Sequence, residues 1–162
     1  MDVDRNTVRW QVSRYENLTR LDLYRILAAR SAVFVVEQNC PYQDLDGLDD
    51  QAIHLWAQAP DDKLLAYARL LPPDTRFAEP SIGRVLTAAD GRGQGLGRLL
   101  MIRALEETAK AFPGLTIRIS AQQYLEKFYQ GLGFETASEP YLEDDIPHLE
   151  MLRAAPGDQG SN

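Results

Sequence analysis

The sequence predicts an α+β domain: a mixed, mostly antiparallel sheet of about six to seven strands flanked by helices. Two observations predict it. Apolar residues switch along the chain between period two and period 3.6, in the order β-α-β-β-β-α-β-α-β-β. A glycine-rich turn, Arg92-Gly93-Gln94-Gly95-Leu96-Gly97, then joins a strand-like run to a long helix-forming run. Such a turn leaves backbone N–H groups at the helix start with no carbonyl to accept them.

The elements follow in order. Residues 7–13 alternate Val8, Trp10 and Val12 with polar neighbours, a strand signature. Thr19 and Asp22 have the spacing of a helix N-cap and its partner. The helix they open runs to about Val36 with Leu23 and Leu27 on one stripe. The β-branched, apolar stretch 32–36 is expected to be buried. Residues 37–50 carry Pro41, Gly47 and five acidic side chains, and read as a loop. Residues 52–59 and 64–71 form a strand pair joined near Pro60-Asp61-Asp62-Lys63, and Pro72-Pro73 ends the second strand. Residues 81–87 add a third strand. After the glycine turn, Leu96, Leu100 and Ala104, with Met101, Leu105 and Ala109 beside them, make an apolar helical stripe that Pro113-Gly114 stops. A short strand at 116–120, a helix around Tyr129, and strands at 134–137 and 149–152 complete a single domain over residues 1–153. The small, polar tail 154–162 is expected to be disordered.

The glycine turn suits an anion, because side chains are absent where phosphates must approach the amides and the helix dipole adds positive charge. It is not a dinucleotide loop: from Gly91 the last position of Gly-x-Gly-x-x-Gly is Leu96, and from Gly93 it is Arg98. No Gly-Lys-Ser or Gly-Lys-Thr exists for a nucleoside triphosphate loop. The pattern that fits is Arg-x-x-Gly-x-Gly, at Arg92, Gly95 and Gly97. It resembles the acetyl-CoA pyrophosphate loop of the GNAT acetyltransferase superfamily. Downstream, Gln122-Gln123-Tyr124-Leu125-Glu126-Lys127-Phe128-Tyr129-Gln130-Gly131-Leu132-Gly133-Phe134 looks like the second motif of that family, a helix ending in an aromatic-Tyr pair before Gly-Phe. Read alone, Tyr129 would be a core aromatic. The run from Arg30 to Asp46, and Tyr141-Leu142-Glu143-Asp144-Asp145-Ile146-Pro147-His148, look like the ElaA-like branch.

The resemblance implies a GNAT fold over residues 8–153, with strands that splay beside the cofactor, and acetyl-CoA or CoA as co-substrate. Arg92, Gly93, Gln94, Gly95, Leu96, Gly97 and Arg98 would hold the pyrophosphate. The backbone of Val85, Leu86 and Thr87 would line the pantetheine arm and polarise the thioester. Gln122 stands where the motif usually has Asn, which weakens one expected bond to that arm. Tyr129 falls on the family's general acid. Glu37, at the mouth of the acidic loop, is the first candidate for general base, with a solvated loop carboxylate as the alternative reading. His54 and His148 lie near strand ends and are of the residue type that titrates near neutrality; they are read as structural or substrate-orienting hydrogen-bonders ahead of the base, and the amine could also lose its proton through water with no dedicated residue.

Net charge is −7 and no Lys/Arg cluster occurs, which argues against nucleic acid as a partner. The acidic loop around Asp44, Asp46, Asp49 and Asp50 is expected to favour a cationic acceptor. Its spacing fails the calcium loop, because Leu48 and Leu55 fall on ligand positions, and no zinc spacing exists, so no metal is expected. Cys40 with His54 could suggest a nucleophile pair, but no oxyanion motif accompanies it. No apolar run reaches the ~18 residues of a membrane span. A single cysteine and an N-terminus without a secretion pattern favour the cytoplasm. A homodimer is compatible with the sequence. The expected function is transfer of an acetyl group from acetyl-CoA to a primary amine of a small molecule or protein. Two rivals stand beside it: a CoA-binding sensor or scaffold without turnover, and an acyl-CoA transferase with another donor or acceptor.

Overall fold

The computed structural model describes residues 7–155, and of the expected disordered tail 154–162 all but Ala154 and Ala155 lie outside the described residues. Ala155 itself is buried. Strands β1 (Arg9–Arg14), β2 (Ile53–Gln58), β3 (Leu64–Leu71) and β4 (Ser81–Thr87) form one antiparallel sheet in that order. Strand β5 (Ile117–Gln122) pairs antiparallel with β8 (Ile146–Arg153), which also pairs with β6 (Glu135–Thr136) and β7 (Tyr141–Glu143). The α+β class stands as the sequence predicts, with eight described strands in two sheets where the sequence suggested six or seven in one. No ladder joins β4 to β5 among the described residues.

Strands β2 and β3 are buried almost throughout, because both faces are covered. On one face helix α2 (Leu96–Ala111) sets Leu96, Leu100, Met101 and Ala104 against Leu55, Leu65 and Leu70, in a core that continues to Ile119, Phe134 and Met151 of the second sheet. On the other face helix α1 (Arg20–Arg30) brings Ile26 onto Trp56, Tyr67 and Leu86. Burying one such side chain fully stabilises the fold by about 1.5–3 kcal/mol. The α2 stripe drifts at its end: Ala109 is exposed and Thr108 is buried, its hydroxyl donating to the Ala104 carbonyl at 2.7 Å. A threonine inside a helix can be buried when that back-bond satisfies it.

Helix α1 starts as its cap dictates, with the Asp22 N–H donating to Thr19 Oγ1 at 3.0 Å. It ends earlier than expected and widens into a π-helical segment, Ser31–Glu37. No residue of this segment is buried, and Val36 is 71% exposed, which corrects the expectation for 32–36. The wide turn brings Phe34 and Val35 to the cleft described below, while Val33 and Phe34 also pack against the core beneath α1.

Strand β7 was not visible in the sequence. It has three residues, and its turn to β8 is Asp144-Asp145, with φ of +51° and +63°. A two-residue hairpin needs positive φ at both positions, and aspartates reach that region without the usual Asn-Gly signature. Helix α3 (Glu126–Gln130) ends in a turn where Gly133 has φ +94°.

Candidate active site

The gap between β4 and β5 is a cleft of about 160 Å³. Ile82 to Val85 form one wall, Ile119 to Gln122 the other, and Tyr129, Glu143 and His148 also line it. Because β4 pairs only with β3, its other edge presents free N–H and C=O groups to this gap. A bulge sharpens the edge. Tyr67 pairs with Leu86, but Arg69 pairs with Gly83, so β4 carries one extra residue between them. Arg84 sits there at φ +51°. A non-glycine residue held in that conformation is a store of strain, and its guanidinium is pinned by Asp44 at 2.8 Å and Asp46 at 3.4 Å. Gly83 inside a strand pattern was the sequence signal for this bulge.

The glycine turn lies where β4 hands over to α2. Gly93 and Gly95 have φ of +79° and +73°, and Gly95 is the α2 N-cap with no capping side chain. A Cβ built on Gly93 would meet nothing within 4 Å, so the surface over the turn is open. Gln94 Oε1 is buried without a hydrogen-bond partner. An uncapped helix start, an open turn and an orphaned amide oxygen suit a cofactor bearing phosphates and hydroxyls. Leu96 is a core side chain and can offer only its N–H. The Arg92 Nε–H donates to the Thr87 carbonyl at 3.0 Å, which ties the turn back to β4. Gly91 is required by packing, since a Cβ there would fall 2.7 Å from the Leu65 carbonyl oxygen.

Tyr129 is buried, packed edge-on against Phe128 and Phe134, and its hydroxyl makes no hydrogen bond among the described residues. Burial, with a smaller contribution from Tyr124, pushes its phenol up to about 12. Gln122 lines the cleft and donates to Gln38 Oε1 at 3.3 Å, linking the β5 end to the segment after the π-helix. His148 lines the cleft.

Other expectations need correction. His54 is fully buried and outside the cleft. Its Nε2–H donates to the Asp49 carbonyl at 2.9 Å, and its Nδ1 accepts from the Tyr67 hydroxyl at 2.7 Å. Burial lowers its pKa, so it is a neutral structural ring and not a substrate ligand. Glu37 is ion-paired with Arg92 at 2.5 Å, with both side chains partly exposed, and is not among the residues that line the cleft. Cys40 is not paired with His54, whose ring nitrogens are taken by Asp49 and Tyr67. Its thiol points at the Asp144 carbonyl at 3.5 Å, and burial pushes its pKa up, so it is no nucleophile.

The acidic loop is not a solvated surface either. Asp49 bridges Arg30 at 2.6 Å and Arg69 at 3.1 Å, Asp46 holds Arg69 at 2.7 Å, and Asp44 holds Arg30 at 2.7 Å. Three carboxylates meet three guanidiniums, counting Arg84, so the cluster is internally balanced and has little field left to steer a cation. Sequence reading missed Gln38, Arg76, Glu143 and Asp144 as cleft residues. The run from Tyr141 to His148 held the signal for two of them.

A split sheet whose gap opens beside an uncapped, glycine-rich helix start is the arrangement on which the comparisons with known acyltransferases bear. The chain belongs to the GNAT acetyltransferase family, since residues 23–154 match the family model described as an acetyltransferase (GNAT) domain. Within it the chain is ElaA-like. Protein ElaA of Escherichia coli strain K12 is 41% identical over 150 residues, covering 90% of this chain and 96% of ElaA. The crystal structure of Escherichia coli ElaA matches with TM-score 0.84 at 40% identity, over 90% of this chain and 99% of that one. The crystal structure of an acyl-CoA N-acyltransferase from Pseudomonas aeruginosa matches with TM-score 0.87 at 45% identity, over 91% of this chain and 99% of that one. No helix among the described residues is long and apolar enough to cross a membrane.

Proposed function

We propose that the protein is an N-acetyltransferase that moves the acetyl group of acetyl-CoA to a primary amine by direct attack, with Tyr129 as general acid. The observation that carries this reading is the unpartnered Tyr129 hydroxyl on the cleft between the bulged edge of β4 and the end of β5. Acetyl-CoA brings an acetyl group already activated as a thioester. The amides of Leu96, Gly97 and Arg98, with Arg92, would hold its phosphates. The free edge of β4 around Val85 would hydrogen-bond the amide-bearing arm as an added strand and polarise the carbonyl. Holding donor and acceptor in one cleft converts a bimolecular reaction into an effectively unimolecular one. The acetyl donor, the amine acceptor and the cytoplasmic setting belong to this proposal.

Release of free thiol on mixing the protein with acetyl-CoA and a panel of primary amines tests it. Acetyl-CoA binding without thiol release on any amine would leave a CoA-binding scaffold in its place. Gly95→Asp tests the cofactor site separately. A side chain at φ +73° costs about 1–2 kcal/mol, and the carboxylate would face the phosphates. CoA affinity measured by calorimetry is expected to fall at least ~10-fold, while circular dichroism shows the fold retained. Undiminished affinity would remove the turn from the site.

A further inference from the structure

We propose that His148 is the general base: its Nε2 takes the proton from the acceptor's ammonium group, and Glu143 stabilises the imidazolium that results. This rests on the acetyltransferase reading above. The His148 Nδ1 lies 2.7 Å from the Ile146 carbonyl oxygen, which can only accept, so Nδ1 carries the proton. In the neutral ring Nε2 then bears the lone pair. Its neighbour at 3.4 Å is Glu143 Oε2, a carboxylate oxygen that makes no hydrogen bond to it. The lone pair is therefore unpartnered in a side chain that is 7% exposed and lines the cleft with Tyr129.

The ring is fixed from several sides. It stacks on Tyr141 with centroids 6.3 Å apart and planes 25° apart, and the Tyr141 hydroxyl is held by Ser120 Oγ at 2.5 Å. Strand pairing places His148 between Gln122 and Tyr141. The other Glu143 oxygen is held by Arg76, so the carboxylate cannot turn away. The charged and titratable groups that line the cleft with His148 are Cys40, Tyr42, Asp44, Arg76, Arg84, Tyr124, Tyr129, Glu143 and Asp144, and Tyr141 stacks on the ring from outside that lining. Of these only Glu143 makes an ion pair with His148.

The proton count closes. An N–H bond of the ammonium breaks, an Nε2–H bond forms, and the amine keeps the electron pair with which it attacks the acyl carbon. The imidazolium returns its proton to water before the next turnover, and the second N–H proton, lost as the tetrahedral adduct collapses, replaces through solvent the one that Tyr129 gives to the thiolate, so that one proton is released per turnover. Glu143 makes this easier because proton uptake turns a contact of neutral ring and carboxylate into an ion pair.

Steady-state kinetics across pH, on a verified amine, tests the assignment. In the parent, kcat/KM is expected to rise with pH through the titration of one imidazole. His148→Gln is expected to lower kcat by ~10²–10⁴-fold, leave CoA affinity unchanged and abolish that limb. Glu143→Gln removes the counter-ion of the imidazolium and is expected to lower kcat with little change in CoA affinity, and Glu143→Asp to restore part of it, a split that a structural role would not produce. Long-range ¹H–¹⁵N spectra of the two histidines give a readout that needs no activity: His54 should be the Nε2–H tautomer and His148 the Nδ1–H tautomer. An active parent matched by His148→Gln at every pH, or an Nε2–H tautomer at His148, overturns the base and leaves the acetyltransferase reading standing. A parent that transfers acetyl to no amine overturns both.

Discussion

Asp49→Ala is expected to lower the free energy of unfolding by about 3–5 kcal/mol, a large share of the ~5–15 kcal/mol that holds a domain of ordinary size. The side chain is 13% exposed and stands between Arg30 and Arg69, whose side chains are 0% and 1% exposed. Truncation leaves two guanidiniums short of a partner, and Arg30 Nη2 and Arg69 Nε already have none. Arg30 keeps Asp44 and Arg69 keeps Asp46, but the cluster is left with two carboxylates for three guanidiniums, and that uncompensated buried charge is what makes the single truncation severe. Asp50→Ala removes the same charge from the same loop but disturbs no ion pair, and should stay within ~0.5 kcal/mol. Urea unfolding of both variants decides between them. Equal and small losses would return the loop to the surface role that its composition suggested.

The same cluster fixes the acid side of the stability curve. Burial works against ionisation of Asp46, but the hydrogen bonds and charge of Arg69 outweigh it and hold the carboxyl down at about 2. Asp49 is lowered as well, against its own burial, by Arg30 and then Arg69. A carboxyl that is more acidic in the folded state contributes stability that is whole above the ordinary carboxylate value, near pH 4, and is lost as pH falls. Urea midpoints should therefore be flat in this respect above about pH 4 and fall steadily toward pH 2. A chain with Asp46 neutralised should show a shallower fall.

The fold was legible where local chemistry and tertiary packing agree. The Thr19 cap, the α2 stripe and the glycine turn are local devices, and each stands where its residues predict. What could not be read is set by distant partners. Nothing in the run from Asp44 to Asp49 says that Arg30, Arg69 and Arg84, spread across α1, β3 and β4, will converge on it. A carboxylate paired across the fold has the same local sequence as one in water. For the same reason Glu37 looked available until Arg92 was seen on it. His54 was a candidate for orienting substrate because it lies near a strand end, but the packing of α1 and the acidic loop over β2 encloses it. Tyr129 shows the reverse case: its local sequence fits a core aromatic, and only the splay of β4 from β5 gives its hydroxyl a cleft to line.

Tyr129→Phe is expected to lower kcat by ~10²–10⁴-fold with little change in CoA affinity. The ring stays, so its edge contacts with Phe128 and Phe134 survive and the fold should hold. Only the proton is lost. Because burial has pushed the phenol to about 12, it remains protonated throughout the range in which the protein can be assayed, and it should impose no alkaline limb near the ordinary phenol value of ~10. Burial also makes it a weaker acid than a free thiol of pKa ~8.5, so full transfer to a thiolate in water would be uphill. In the cleft the balance differs, since the desolvation that raises the phenol also raises the proton affinity of a thiolate beside it. The hydroxyl is free of other partners, so no existing hydrogen bond must break before it donates. A donor whose leaving thiol is more acidic needs that proton less, and the Phe variant should lose less activity with it. A Phe variant with near-parental kcat, under conditions where chemistry limits turnover, would return Tyr129 to the core as one more packed aromatic.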